Sequence, residues 1–458
     1  MRKLFFDRLF TGDQWLSSAR VEIDPHGDIE SIFPSGDPEG CERLSGYAIP
    51  GIPNLHSHAH QRAMVGLAER SGASSDSFWT WRKVMYDHLS LMEPEDLEAI
   101  AAQLYVEMLK AGYTAVAEFQ YLHHDPQGRA YENRAEMSLR TLAAARAAGI
   151  GMTSLPVLYA HGGFGGKPPA PGQARFINDI EDFLEIVSAL SRESQEDPNA
   201  AVGIAPHSLR AVTPLLLGAA VDSFTHSYSG PIHIHVSEQV QEVHDCLAWS
   251  SLRPVEWLLN NLRVDERWCL IHATHLTTEE TRGLAATGAV VGLCPTTEAN
   301  LGDGLFNASV FERAGGRWGI GSDSHISLDP VEELRWLEYG QRLSRRRRTV
   351  LSGGPQRSTG RHLLSRALQG GAQACGREVG SLAKGKRADI VVLDTEHPAA
   401  WERVGDEVLD TWVFAGNTPM VKDVIVGGKT LVEAGRHRSE EAIASRFRKA
   451  LSSLRSRL

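Results

Sequence analysis

The sequence is poor in several features that would mark a special class of chain. Only five cysteines occur among 458 residues, at positions 41, 246, 269, 294 and 375. They are scattered, odd in number and without a CxxC pair, which excludes a disulfide framework and fits a reducing cytoplasm. They are expected to serve as small buried hydrophobes. No apolar run approaches the roughly 20 residues that cross a bilayer, and in the opening MRKLFFDRLFTGDQW, Asp7 and Arg8 interrupt any stretch long enough for a signal segment. A soluble, cytoplasmic protein with no membrane partner is the expectation. Positive charge is in deficit: a formal net charge of -10 opposes a general nucleic-acid surface, since such partners are held by clustered Lys and Arg. It says nothing of a local anion pocket. The basic run Arg345 to Arg348 falls at a helix end, where cations suit the helix dipole.

What is present is an ordinary globular composition, 42% hydrophobic and 23% charged, on a chain longer than one compact core usually supports. From about residue 47 to about 350, short apolar runs alternate with helical segments, the rhythm of a parallel sheet. The runs are YAIPGIPNL, YTAVAEF, GIGMTSLPVLY, AVGIAPHSL, PIHIHVSE, RWCLIHATH, GAVVGLCP and RWGIGSDSH, and their number matches a closed (β/α)8 barrel better than an open sheet. Between them, EPEDLEAIAAQLYVEMLKAG has Pro94 at a helix start and Gly112 at its end, and Thr277 or Thr278 can cap the helix after the sixth run. Residues 1–48 and 378–437 are rich in short strand-like stretches and are expected to form one small β-domain, a β-sandwich, from both chain ends. The barrel then spans 49–377, and 438–458 reads as a terminal amphipathic helix. The GGFGGKPPAPG stretch at 162–172 is a loop that could border an active site.

In such a barrel the catalytic groups come from the C-terminal ends of the strands. The first run ends in His56-Ser57-His58, and residues two apart on a strand face one side, so both imidazoles can reach one ion. The fifth run supplies His233, His235 and Glu238, the sixth His272 and His275, the eighth Asp323. Taken singly each is weak evidence, but four strand ends bearing imidazole or carboxylate are hard to explain by chance. Guanidinium forks suit carboxylates, and Arg210 follows the end of the fourth run while Arg82 lies in the aromatic segment FWTWR after the first. Trp79 and Trp81 are expected to wall a pocket, and Glu298 and Asp303 in TEANLGDG either line the site or brace its loop.

The segments PGIPNLHSHAHQRA, HIHVSE, IHATH and GSDSH resemble the metal-site signatures of the amidohydrolase superfamily, and the split β-domain ending in GKRADIVVLD resembles that of its deaminase branch. LHSHAHQRAM, DSFWTWR, MLKAGYTAVAEFQYLHH, HSLRAVTP, TEANLGDG and VEELRWLEYGQRL extend the resemblance over nearly the whole chain, toward members acting on linear formimidoyl amino acids in histidine breakdown. The resemblance implies one divalent ion, usually zinc, on His56, His58, His235 and Asp323, with no lysine at the end of the fourth strand to favour a second. His235 rather than His233 follows from the family motif, which places the ligand three before the glutamate. Glu238 would pass a proton, Asp323 would accept one from water, and His272 would orient the nucleophile, with a metal-ligand role as its rival. Gln61, Arg82, Tyr121, His207 and Arg210 would bind a small substrate bearing carboxylates, and a homodimer is expected. Two rival readings are a deaminase of a heterocycle such as guanine, on the same metal site, and a non-catalytic barrel scaffold, which would be expected to have lost ligands that are all present here.

Overall fold

Each of the eight apolar runs contributes a barrel strand, six of them as single pieces; the fourth is broken, and the first divides at Gly51, its start belonging to the strand Glu42–Pro50 of the other sheet. The computed structural model describes residues 1–69, 78–355 and 357–457, the side chains of Phe78 and Trp79 excepted, so the expectation for Trp79 lies outside the described residues. The barrel strands, numbered here one to eight, are Ile52–Ser57, Tyr113–Gln120, Gly151–Leu158, Ala200–Val202 with Ala205–Pro206, Ile232–Val236, Trp268–His272, Val290–Leu293 and Arg317–Ile320. Strand four is interrupted at Gly203 and Ile204, where a side chain at Gly203 would meet the carbonyl of Pro231 at 2.4 Å.

Parallel pairing runs through strands one to four and again through five to eight. Two parallel bridges close the ring, Ile204 with Ile232 and Ser57 with Asp323. Strands one, two, three, five, six and seven are buried at every residue, as a parallel sheet covered by helices on its outside requires. The helix Pro94–Ala111 begins with proline and stops where Gly112 turns left-handed at φ 108°. Thr277 caps the helix Thr278–Ala286, accepting from the Glu280 N–H at 3.1 Å while Glu280 accepts from the Thr277 N–H at 2.8 Å.

The helix Thr359–Cys375 lies across the end of the barrel opposite the site. A Cβ at Gly370 would stand 2.0 Å from the Trp318 carbonyl, so only glycine permits this approach. Two last-turn carbonyls, which have no partner within the helix, are met from inside the barrel: His233 Nε2 donates to Ala374 O at 2.8 Å and Thr153 Oγ1 to Cys375 O at 2.7 Å.

Both chain ends join one eight-stranded sheet. Its order runs from Arg436–His437 through Lys429–Glu433, Val421–Val426, Ile390–Leu393, Glu42–Pro50, Arg2–Phe10 and Trp15–Ile23 to Ile29–Phe33. The ends meet where Ile390–Leu393 pairs antiparallel with Glu42–Pro50. The helix Glu440–Arg457 returns to Pro94–Ala111, tied by Lys110 to Glu440 at 2.7 Å and by Arg457 to Asp96. No described helix is long and apolar enough to cross a membrane. Four of the five free cysteines are buried, and Cys41 is partly so.

Candidate active site

At the C-terminal end of the barrel, side chains from strands one, five and eight point at one spot. His56 Nε2 and His235 Nε2 face each other at 3.0 Å, and Asp323 Oδ1 lies 3.5 Å from His56 Nε2 and 3.4 Å from His58 Nε2. The strand ends carry strained backbone: Ser237, His272, Ala273, Asp323 and His325 all have positive φ between 45° and 68°. For non-glycine residues such conformations persist only where the surroundings impose them, and they gather at functional sites.

The protonation of these groups follows from burial. Desolvation, reinforced by neighbouring imidazoles, pushes His56 down to about 3 and His235 well below the ordinary histidine range. Burial also lowers His58, against the pull of Asp323. Neutral His58 donates its Nδ1–H to the Phe119 carbonyl at 2.9 Å, which leaves the Nε2 lone pair facing the centre. Burial would raise the Asp323 carboxyl, but hydrogen bonding from His56 and the adjacent imidazoles holds it well below the usual carboxylate range. Neutral imidazole lone pairs converging with an ionised carboxylate are a donor set for a divalent cation. His56, His58 and His235 can offer one ion ligand atoms that all lie within 4.8 Å of one another. His233, one of the two histidines left open by residue spacing, is occupied at the barrel floor with Ala374.

Beside this spot stands a second set of charges. Burial lowers His272, yet Glu238, Glu298 and Asp323 outweigh it and lift the imidazole to about 10. Its Nε2 is 3.9 Å from Glu238 Oε1 and 3.8 Å from Asp323 Oδ2. Burial raises the Glu238 carboxyl against His272 and Arg210, and Arg210 Nη2 reaches Glu238 Oε2 at 3.9 Å. Arg210 Nε is buried with no hydrogen-bond partner among the described residues. Glu242 accepts the backbone N–H of both Ser237 and Glu238, at 3.1 and 3.2 Å, and so fixes the turn that presents Glu238.

These groups open onto a cavity of about 460 Å³ lined by His58, Gln61, Arg82, Tyr121, His207, Arg210, His235, Glu238, His272 and Asp323. His56 lies behind it, fully buried. Every residue singled out from the sequence as ligand, proton carrier or substrate contact is thus brought to one place. Gln61 Nε2 donates to Tyr121 Oη at 3.0 Å, His207 Nδ1 meets Ser208 Oγ at 3.0 Å, and the Arg82 guanidinium sits 5.5 Å from the Tyr86 ring centre. Trp81 walls the cavity, whereas His275 is absent from its lining.

Tyr86, Tyr159, Lys167 and Trp249, none of them singled out from the sequence, also line it. Tyr159 follows strand three directly, and the strand-end rule could have found it. Tyr86 lies one turn beyond Arg82 on the helix Phe78–Leu89, a helical neighbour. Lys167 comes from the 162–172 loop, which does border the cavity. Nothing in the sequence marks Trp249, near the end of the helix Val240–Ser250.

Residues 47–431 match the amidohydrolase family. Over 458 aligned residues the chain is 52% identical to the formimidoylglutamate deiminase of Pseudomonas aeruginosa, covering 99% of this chain and all of that one. Among solved structures it resembles an amidohydrolase from Brucella melitensis, with a TM-score of 0.94 and 48% identity over 99% of this chain and 100% of the other. The likeness to an adenosine deaminase from Xanthomonas campestris solved with bound zinc has a TM-score of 0.81 at 20% identity, over 99% and 98% of the two chains, and concerns the fold alone.

Proposed function

The chain belongs to the amidohydrolase family, and on that premise we propose that it hydrolyses N-formimidoyl-L-glutamate to N-formyl-L-glutamate and ammonia. Water adds its oxygen to the HC=NH carbon, the carbon–nitrogen bond to the terminal nitrogen breaks, and that nitrogen leaves with the protons it has gained. The observation that carries this reading is one cavity lined by His58, His235 and Asp323, with His56 in contact behind it, and also by two guanidiniums, Arg82 and Arg210. A neutral heterocycle has no use for a pair of guanidiniums, but a dicarboxylate does.

His56, His58, His235 and Asp323 would hold one divalent ion, with zinc favoured by the nitrogen and oxygen donors. When bound, the ion supplies Lewis acidity that brings the pKa of water from 15.7 towards about 7. Asp323, ionised and buried, takes a proton from the attacking water, and Glu238 delivers a proton to the departing nitrogen. The raised Glu238 carboxyl suits that shuttling. His272, held cationic by its carboxylate neighbours, orients the nucleophile and offsets charge on the tetrahedral carbon's substituents. Arg82 and Arg210 hold the glutamate carboxylates, while Gln61, Tyr121 and His207 position the formimidoyl end. We infer likewise a cytoplasmic homodimer: free thiols fit a reducing compartment, and twofold assemblies are the commonest oligomers.

The test is ammonia release by zinc-loaded protein from N-formimidoyl-L-glutamate, beside guanine and cytosine, with the formyl product sought by mass spectrometry. Fast release with that product is expected. Turnover of a ring substrate alone would retain the metal chemistry and overturn the dicarboxylate assignment.

A further inference from the structure

Glu298 is buried and outside the cavity lining, in the first turn of the helix Pro295–Leu301 that follows strand seven. Its Oε1 accepts the Cys294 backbone N–H at 3.0 Å and lies 3.3 Å from His272 Nδ1. An oxygen that accepts the Cys294 N–H can also accept the Nδ1–H of the imidazole. The opposite nitrogen, Nε2, then faces Glu238 and Asp323 at 3.9 and 3.8 Å.

His272 itself sits at φ 68° and is followed by Ala273 at φ 46°. The strained strand end aims the ring, but rotation about its last bond still needs a partner. We propose that Glu298 is a positioning residue for His272, holding its Nδ1–H so that Nε2 is presented to the reacting groups. The proposal rests on the deiminase reading only for the substrate used to follow turnover.

A carboxylate behind an imidazole commonly fixes its orientation, and loss of such a partner typically costs about 10- to 100-fold. The competing reading is a loop brace, in which the Glu298 side chain matters only through the Cys294 N–H. The two differ in whether Glu298 acts through His272.

The test is a double-mutant cycle on zinc-loaded protein with N-formimidoyl-L-glutamate. Glu298→Ala is expected to lower kcat about 10- to 100-fold, leaving KM and bound metal unchanged. Glu298→Gln, whose amide oxygen still accepts from Nδ1–H, should recover most of that loss. In a His272→Ala background, Glu298→Ala should cost nothing further, because residues acting as a unit are not additive. Full additivity, or a loss confined to metal content and KM, would overturn the proposal. Should the alanine variant fail to fold, Glu298→Met fills the same volume without an acceptor. A second readout needs no turnover: in protein labelled with ¹⁵N-histidine, a downfield imidazole N–H signal that His272→Ala removes should also be lost in Glu298→Met. Its persistence would refute the proposal. An inactive wild type would sink the substrate assignment while this signal still decided the role of Glu298.

Discussion

At the scale of single residues the site divides labour between groups whose burial is alike and whose partners differ. His56 is driven neutral by desolvation, while His272, just as buried, is held charged by three carboxylates. His56→Ala and Asp323→Ala should therefore lose bound metal and activity together, as measured by metal analysis beside turnover. Glu238→Gln should keep its metal and lose about 10²- to 10⁴-fold in kcat, the usual contribution of a positioned proton carrier; wild-type turnover would remove Glu238 from that role. Arg210→Ala should leave metal content unchanged and raise KM about 10- to 100-fold, since a charged hydrogen bond is worth about 1.5–3 kcal/mol. Most of these residues were legible because strand ends of a barrel are where chemistry gathers and because HxH spacing places two imidazoles on one face. The choice of His235 over His233 was not legible from spacing, since both share a face. It depends on the helix Thr359–Cys375, whose Ala374 carbonyl occupies His233.

At the scale of elements, two helix glycines show how local rules give way to contacts. Gly218 lies within the helix Pro214–Ser227 with nothing within 4 Å of a built Cβ. Gly218→Ala should stabilise the protein by about 0.5–1 kcal/mol, the ordinary helix cost of glycine. Gly370→Ala has the same propensity gain, but its Cβ would fall 2.0 Å from the Trp318 carbonyl. The helix would have to leave the barrel floor, at a cost of about 3 kcal/mol or more. Urea unfolding of both variants checks the opposite signs, and equal shifts would contradict this account of the helix contact. Helix starts at Pro94 and Thr277 were readable because caps are local chemistry. The break in strand four was not read, because it falls where Gly203 comes close to Pro231, a residue from a separate element.

For the whole molecule, the donor set links strands far apart in the chain, so occupancy of the site should couple to global stability. A ligand that binds only the folded state stabilises it by about 2.7 kcal/mol at a hundredfold excess over Kd. Removing metal with a chelator should lower Tm by several degrees and abolish turnover, and zinc should restore both; an unchanged Tm would mean that the four ligands do not hold the ion jointly. The sequence by itself determined the strand and helix rhythm, the β-domain drawn from both ends and the residue types at the strand ends. Those are set by periodicity, turn chemistry and motif, which act over a few residues. Only the tertiary structure decided that Ser57 pairs with Asp323 to close the ring, that Tyr159 and Lys167 share a cavity with Arg82 and Arg210, and that Glu298 stands behind His272. Such juxtapositions join residues from separate elements, and their geometry follows from barrel closure and packing, which no local pattern in the chain encodes.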